Sequence, residues 1–220
     1  MGLARQVPPD GPAPGRVRER ILSLPGRFRA RAVNGFAADY GLRIGGSGFR
    51  ITISAGRCEV EEAYPPIPTA RIVTDPETWL ALDDGRLSSI EAFLAGRVAV
   101  RGHIEQAVRM QSLFRPSGRR RSRRDLEHVT LSAGDSELSA FVLGDGPTVV
   151  LLHGLGATKL SWLPLMSPLA ERFRVVAPDL PGHGESSKPR GGYTPAFYGG
   201  VVRRLLDALG EERAVLVGNS

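Results

Sequence analysis

Three short motifs in this sequence contain residue types that nucleophilic catalysis uses, and each one follows a short apolar run. In chain order they are His153-Gly154-Leu155-Gly156, Asp179–Ser186 and Gly218-Asn219-Ser220, after the runs Thr148–Leu152, Phe173–Ala177 and Ala214–Val217. Serine hydroxyls act as nucleophiles and histidines as general bases, while glycines let the backbone turn tightly. The three motifs together are therefore the first candidates for a reactive site.

The apolar runs before these motifs have the length and continuity of strands buried on both faces of a sheet. An amphipathic stretch, Trp162–Leu169, separates the first two runs. A helix capped by Thr194-Pro195 and closed by Gly210 separates the second and third. Upstream, Glu127–Leu131 and Ser136–Leu143 are predicted to form an antiparallel pair. Alternating strands and helices indicate an α/β fold, with a mostly parallel sheet covered by helices on both faces.

In this order the three motifs resemble those of the α/β-hydrolase family, over residues of about 125–220. The resemblance implies that Ser220 is the nucleophile on a sharp strand-to-helix turn, and that the Leu155 backbone N–H is an oxyanion donor. It also implies that His153 is structural and that Asp179 and His183 shape a neighbouring loop. The catalytic acid and histidine of the family follow later strands. We therefore expect this chain to be a fragment, the first half of such a domain, without hydrolase activity of its own.

The N-terminal half has a different organisation. Residues 1–15 are rich in proline and glycine and are predicted to form a disordered leader, while 16–115 form a separate domain. A helix is predicted around Arg16–Leu24. Apolar residues then alternate with polar ones around Ile51, which predicts a half-buried strand, and Ala55-Gly56 turns it into a hairpin. The expected class of this half is α+β.

Helix signals follow the hairpin. Asp75-Pro76 predicts an N-terminus with proline at the first helical position, and Ser88 and Glu91 have the spacing of a capping box. A last helix is predicted over Ile104–Phe114, with Ile104, Ala107 and Val108 on its buried stripe.

Residues of about 27–115 resemble a sterol-carrier-protein-type lipid-binding domain, through Ala70–Thr74, the Trp79–Gly85 turn and Ala95–Gly102. The resemblance implies a sheet covered by helices around an apolar tunnel for fatty-acyl chains, sterols or other lipids. A plain packed core would contain the same residue types as the walls of such a tunnel. The candidate tunnel residues are Trp79, Leu80, Phe93, Met110 and Phe114.

The net charge of +6 is concentrated in one segment of the chain. This segment contains six arginines, as many positive charges as the net charge of the whole chain: Arg115, Arg119, Arg120, Arg121, Arg123 and Arg124. A block of like charges without interleaved aromatic residues is typical of a solvated linker, and we assign 116–124 to it. We therefore predict weak contact with an anionic membrane surface at most, and no nucleic-acid partner.

Other classes of protein are disfavoured by composition. No apolar run approaches the ~20 residues of a membrane helix, and no signal-peptide core is present, so a cytoplasmic location is expected. The single cysteine, Cys58, excludes an intrachain disulfide and is predicted to be buried. No cofactor and no metal are predicted.

Two functional hypotheses remain open from the sequence. In the first, the intact protein is a serine hydrolase that cleaves a small-molecule or lipid-like acyl ester or a related bond, and the N-terminal domain binds lipid. In the second, the protein is a non-catalytic lipid carrier whose hydrolase half is vestigial. A glycine two residues after Ser220, with a later Asp and His at strand ends, would favour the first.

Overall fold

The computed structural model describes residues 13–29, 37–115, 117 and 126–219. The chain divides into two compact units, residues 1–125 (unit 1) and 126–220 (unit 2). Each unit has its own five-stranded sheet and its own apolar core. This division matches the expected mixed class, in which an α+β unit precedes an α/β unit.

The helices described in unit 1 lie on one face of a mixed sheet. The strand order is β3-β2-β1-β4-β5, with β1 parallel to β4 and the other neighbours antiparallel. Side chains from α1 to α5 share one apolar core with the inner face of the strands. The elements are α1 (Gly15–Leu22), α2 (Leu24–Arg27), β1 (Ala38–Ile44), β2 (Ser47–Ser54), β3 (Arg57–Glu61), β4 (Ala70–Thr74), α3 (Pro76–Asp83), α4 (Ser89–Leu94), β5 (Val98–Gly102) and α5 (Ile104–Met110).

The alternating pattern around Ile51 forms the predicted half-buried strand. Ile51 and its alternate neighbours on β2 are buried in the core, while Arg50 on the opposite face binds the Asp39 carboxylate. Ala55 and Gly56 both have positive φ, at 47° and 73°, as a two-residue type I′ hairpin turn requires. The predicted hairpin is therefore confirmed.

The two predicted helix caps of unit 1 are also present. Asp75 accepts a hydrogen bond from the Thr78 backbone N–H at 2.7 Å at the start of α3. At the start of α4, Ser88 Oγ accepts from the Glu91 N–H at 3.1 Å, and Glu91 Oε2 accepts from the Ser88 N–H at 3.2 Å. These bonds satisfy amide groups that the first turn of a helix leaves without a partner.

The last helix of unit 1 is shorter than predicted. It ends at Met110 and continues as a 3₁₀ turn, Gln111–Leu113, before Phe114 forms a β-bridge with Phe28. The Leu113 carbonyl accepts from the Arg29 N–H at 2.9 Å, so a long-range pairing replaces the helical bonds. Ile104 is exposed and not part of the buried stripe, whereas Ala107 and Val108 are buried.

Cys58 is half-buried, whereas the sequence predicted full burial. It lies on β3, an edge strand of the sheet, which accounts for its incomplete cover. Burial, with the Glu59 carboxylate as a smaller cause, raises the pKa of the Cys58 thiol to about 11. The thiol is therefore protonated at neutral pH and is a poor nucleophile.

Unit 2 is an α/β sheet in the order β10-β8-β9-β7-β6. Its elements are β6 (Glu127–Ala133), β7 (Ser136–Leu143), β8 (Thr148–Leu152), α6 (Leu163–Leu169), β9 (Arg174–Pro178), α7 (Pro195–Leu209) and β10 (Val215–Gly218). Strands β8, β9 and β10 are parallel, while β6 and β7 are antiparallel neighbours. From β8 the chain crosses to β9 on one side and then to β10 on the other. A reversal of this kind leaves a crevice outside the carboxyl ends of the strands, where α/β sheets bind ligands.

Both faces of the unit 2 sheet are covered in its centre. Val150 and Val176 share a core with Val201 and Leu205 of α7, and the alternate residues of the same strands are buried as well. Strand β10 lies at the edge of the sheet, and its side chains are about half exposed, with Val215 at 56%. None of the helices in the described part of the chain is long and apolar enough to cross a membrane.

Candidate functional site at the carboxyl edge of the unit 2 sheet

The three motifs meet at one edge of the unit 2 sheet because β8, β9 and β10 run in parallel. Leu152 at the end of β8 is paired with Gly218 at the end of β10. One residue further on, the Asn219 N–H donates to the Leu152 carbonyl at 3.1 Å. Ser220 itself lies outside the described residues. The last described residue before it is thus hydrogen-bonded to the strand that leads into the His153 turn.

The turn after β8 presents Leu155 at its apex. The Ala157 N–H donates to the Gly154 carbonyl at 3.2 Å, and Gly156 has a φ of 72°. This is the pattern of a type II turn, in which the third residue needs positive φ and is therefore usually glycine. The Leu155 side chain is 97% exposed. Among the described residues, nothing accepts a hydrogen bond from the Leu155 backbone N–H.

His153 is buried, and both nitrogens of its ring are engaged. Its Nδ1 lies 2.9 Å from the Gly154 carbonyl, and its Nε2 accepts from the Leu180 N–H at 2.9 Å. Because a carbonyl only accepts and an amide only donates, these partners select the neutral tautomer with the proton on Nδ1. Burial lowers the pKa of His153. The ring therefore links the β8 turn to the loop after β9, in keeping with its expected structural role.

The loop after β9 is organised around the fully buried Asp179. Its Oδ1 accepts from the Lys159 backbone N–H at 2.7 Å, and its Oδ2 accepts from the Glu185 N–H at 3.0 Å. A Cβ atom at Gly184, whose φ is 48°, would lie 2.2 Å from Oδ2. Gly184 thus has both a backbone and a steric reason to be glycine. Asp179 shapes this loop, as the resemblance implied.

Asp179 is also one half of a fully buried ion pair that the sequence did not reveal. Lys159 Nζ lies 2.5 Å from Asp179 Oδ2 and 3.3 Å from Glu185 Oε2, and the Lys159 side chain has no exposed surface. Lys159 belongs to the segment after the β8 turn, so the pair joins the same two loops as His153. No local signal distinguishes Lys159 from a lysine on the surface of an amphipathic stretch.

The network extends to strand β6 through His128. His128 Nε2 lies 3.1 Å from Glu185 Oε2 and 2.8 Å from Ser139 Oγ. The hydrogen bond from His128 and the charge of Lys159 lower the pKa of Glu185 to about 2, against the opposing effect of burial. From the sequence His128 lies outside every motif, and only the fold brings it to this loop. Carboxylates with this many donors are stable inside a protein because the cost of desolvation is offset by directed bonds.

The candidate lipid-binding residues of unit 1 lie in or beside its core. Trp79, Met110 and Phe114 are buried in one cluster, against which Leu80 packs, while Phe93 is half-buried on α4. The Trp79 indole N–H is buried and has no hydrogen-bond partner among the described residues. A buried indole N–H usually finds a partner, and the Trp162 indole N–H of unit 2 likewise has none among the described residues.

No metal site accompanies either group of residues in the part of the chain that the structure describes. Nowhere in 13–29, 37–115, 117 and 126–219 do three or more His, Cys, Asp or Glu side chains converge on a point where an ion could bind.

Known proteins resemble parts of this chain. An uncharacterized protein of Mycobacterium tuberculosis is 46% identical over 79 residues, which are 36% of this chain and 23% of that protein. The 2-(acetamidomethylene)succinate hydrolase of Mesorhizobium japonicum is 35% identical over 96 residues, 44% of this chain and 32% of the enzyme. The soluble epoxide hydrolase of a Corynebacterium species is 38% identical over 76 residues, 34% of this chain and 27% of the enzyme. The chain spans less than a third of the length of each of these relatives.

Family models match both halves of the chain, in the order expected from its motifs. The SCP-2 sterol transfer family matches residues 23–115, which include all the elements of unit 1 from α2 onward. The alpha/beta hydrolase fold family matches residues 147–220, from the start of β8 onward. The chain therefore contains a region of the SCP-2 sterol transfer family, residues 23–115, followed by a region with the alpha/beta hydrolase fold, residues 147–220.

Proposed function

We propose that the hydrolase-fold domain belongs to a serine hydrolase that cleaves an acyl ester or a related acyl bond. Ser220 Oγ would attack the acyl carbonyl, and the Leu155 backbone N–H would donate to the oxygen that becomes negatively charged. The observation that carries this assignment is the exposed turn of Gly154–Ala157, whose Leu155 N–H has no partner among the described residues. A donor that is already free and fixed in direction stabilises an oxyanion without reorganisation.

We propose no histidine or carboxylate described in unit 2 as the catalytic base or acid. Both nitrogens of His153 are engaged, His128 contacts Glu185 and Ser139, and the His183 ring packs edge-on against His153 with its Nδ1 3.3 Å from the Pro181 carbonyl. We therefore assign proton transfer to a histidine of the full-length natural protein that lies outside residues 1–220. That histidine would take the Ser220 proton, return it to the leaving alcohol, and then activate water to release the acyl group.

A carboxylate nucleophile is the main alternative, because the relatives include a soluble epoxide hydrolase. In the α/β-hydrolase family, epoxide hydrolases carry aspartate at the position that Ser220 occupies in this chain. Ser220 therefore favours acyl chemistry. Hydrolysis by the full-length natural protein of p-nitrophenyl esters and of a styrene oxide would separate the two: we expect turnover of the ester only.

The substitution Ser220→Ala tests the nucleophile. We expect it to lower kcat for ester hydrolysis by at least about a thousandfold, because the step that forms the acyl-enzyme disappears. Ser132→Ala, at an exposed serine of β6, is the matched control and should leave kcat unchanged. Ester hydrolysis that persists in the Ser220→Ala protein would overturn the assignment.

For the SCP-2 domain we propose binding of a fatty-acyl or sterol-like lipid within the unit 1 core. The unpartnered N–H of Trp79 carries this second assignment, since a lipid hydroxyl or carboxylate could accept its hydrogen bond. Titration of the whole chain with a fluorescent fatty acid is expected to saturate, and Trp79→Phe to weaken binding several-fold by removing one hydrogen bond. Flat fluorescence up to the solubility limit would rule out lipid binding, whereas binding by a protein without ester hydrolysis would favour the carrier alternative.

A further inference from the structure

The face of the unit 1 sheet opposite the helices is crossed by a proline-rich segment, Glu62–Thr69, which we call the proline strap. The strap fits because two strand residues under it are glycines. A Cβ atom at Gly41 would lie 3.1 Å from Pro68 and 3.3 Å from Pro65, and one at Gly48 would lie 3.0 Å from the Tyr64 Cβ. Larger residues at these positions would push the strap away from the sheet. It is therefore a packed element and not a loose loop.

Further contacts fix the conformation of the strap. The Tyr64 ring lies beside two guanidinium groups, with the Arg43 Cζ 5.1 Å and the Arg71 Cζ 6.0 Å from its centroid. Arg71 also donates to the Pro66 carbonyl at 2.5 Å, and the Thr69 N–H donates to the Asp39 carbonyl at 2.7 Å. Because its prolines also have restricted φ, the strap loses little conformational entropy when it binds a partner.

One large apolar side chain of the strap is exposed to solvent. Ile67 is 89% exposed, whereas the other exposed large apolar residues described in unit 1 do not exceed 47%. Pro65, two residues earlier, is buried against the sheet, whereas Pro66 and Ile67 are exposed. A single exposed apolar side chain is common on protein surfaces, so Ile67 becomes informative only together with the charges around it.

The surroundings of Ile67 are basic. Arg71 is paired in register with Arg101 on β5, and Arg43 lies on the same outer face of β1. None of these three arginines has a carboxylate partner among the described residues. Three acidic groups of this face are bound by other arginines, Asp39 and Glu61 by Arg50 and Glu62 by Arg18, while Glu59 on the exposed edge of β3 is offset by its neighbour Arg57. Because Arg50 offsets only one of the two carboxylates that it binds, these groups together leave the face with a net positive charge of two.

We propose that the proline strap docks on an anionic lipid bilayer, with Ile67 inserted below the headgroups and Arg43, Arg71 and Arg101 in contact with their phosphates. A rigid apolar tip within a basic ring matches the interface of such a membrane, where apolar burial and charge act together. A soluble anion would engage the arginines and gain nothing from Ile67. A neutral apolar partner would bury Ile67 and gain nothing from the arginines.

Co-sedimentation of the whole chain with phosphatidylcholine vesicles, with and without phosphatidylglycerol, tests the docking surface. We expect binding to the anionic vesicles only, falling as salt is added. Ile67→Ser should lower the partition coefficient by about tenfold or more, and Arg43→Gln or Arg101→Gln by about fivefold each. Leu94→Ser, at an exposed leucine on the helical side, is the matched control and should have no effect.

The arginine segment around Arg120 could also attract anionic vesicles, so its contribution is measured separately. Replacing Arg119, Arg120 and Arg121 by glutamine should lower binding of the parent and of the Ile67→Ser protein by the same factor. Equal binding of the Ile67→Ser and Leu94→Ser proteins would overturn the proposed surface. Equal binding to vesicles with and without phosphatidylglycerol would also overturn it. So would the finding that Ile67→Ser no longer weakens binding once Arg119, Arg120 and Arg121 are replaced. Circular dichroism of each variant confirms that it is folded.

Discussion

The two units bury their ion pairs to different extents. In unit 1 the core is apolar, and its main ion cluster, in which Asp83 binds Arg20 and Arg27, keeps the guanidinium groups partly in water. In unit 2 the Lys159–Asp179 pair has no exposed surface, and it lies where two loops of the candidate site meet. An apolar core adapts to a ligand of variable shape, whereas directed buried bonds hold a backbone in one conformation. The difference is the one that the proposed functions require, lipid binding in unit 1 and acyl hydrolysis at the edge of the unit 2 sheet.

Breaking the buried pair is expected to have the largest effect. Asp179→Ala leaves the Lys159 ammonium buried without its main partner and should lower the free energy of unfolding of unit 2 by about 3–5 kcal/mol. Asp83→Ala in unit 1 removes a carboxylate whose partners Arg20 and Arg27 keep contact with water, and it should cost less, about 1–2 kcal/mol. Urea unfolding followed by Trp162 fluorescence in a Trp79→Phe background reports unit 2, and Trp79 in a Trp162→Phe background reports unit 1. Equal costs for the two substitutions would remove the contrast between the units.

A pair of glycines sharpens the same comparison with a smaller expected effect. Gly184 in unit 2 and Gly96 in unit 1 both have positive φ, but only at Gly184 would a Cβ atom collide, with Asp179. Gly96→Ala should cost about 1–2 kcal/mol for the left-handed backbone. Gly184→Ala should cost a further ~1–3 kcal/mol because Asp179 must move. Thermal unfolding of both variants measures the difference. Equal shifts in Tm would mean that Asp179 can move away from the added methyl group at little cost in free energy.

The pH dependence of stability should also differ between the units. Because the pKa of Glu185 is lowered to about 2, its ionised form stabilises unit 2 above the ordinary glutamate value. This stabilisation should decrease as the pH falls through about 4.5 and should be lost near 2. Glu185→Gln should reduce the change in the free energy of unfolding of unit 2 between about pH 4.5 and pH 2. The pH dependence of unit 1 should stay unchanged. An unaltered profile in the Glu185→Gln protein would contradict the role given to the His128 and Lys159 contacts.

Local patterns allowed much of this fold to be predicted. The run Thr148–Leu152 is strand β8 as expected, and α7 begins at the predicted cap, where Thr194 Oγ1 accepts from the Phe197 N–H, and ends at Gly210. Apolar runs and caps act over a few residues, so sequence order is enough to find them. The end of α5 could not be found in this way, because a bridge between Phe28 and Phe114 determines it.

The interior of the candidate site shows the limit of sequence reasoning more clearly. The glycines of the site and the turn after β8 could be predicted from the sequence, because they belong to short motifs. Lys159 and Asp179 are 20 residues apart, and His128 and Glu185 are 57 apart. Each of these side chains has the polarity of a surface residue when its own segment is considered alone. These four side chains form one buried network only because the strand order brings β6, β7 and β9 together.

The central claim is that the Leu155 backbone N–H donates to the oxyanion formed when Ser220 attacks an acyl group. Leu155→Pro removes this N–H, and proline suits the second position of a type II turn, so the turn itself can persist. Leu155→Ala keeps the N–H and is the matched control. For ester hydrolysis by the full-length natural protein, we expect Leu155→Pro to lower kcat by about 10²–10³ and Leu155→Ala to change it little. Equal kcat values for the two folded variants would contradict the claim.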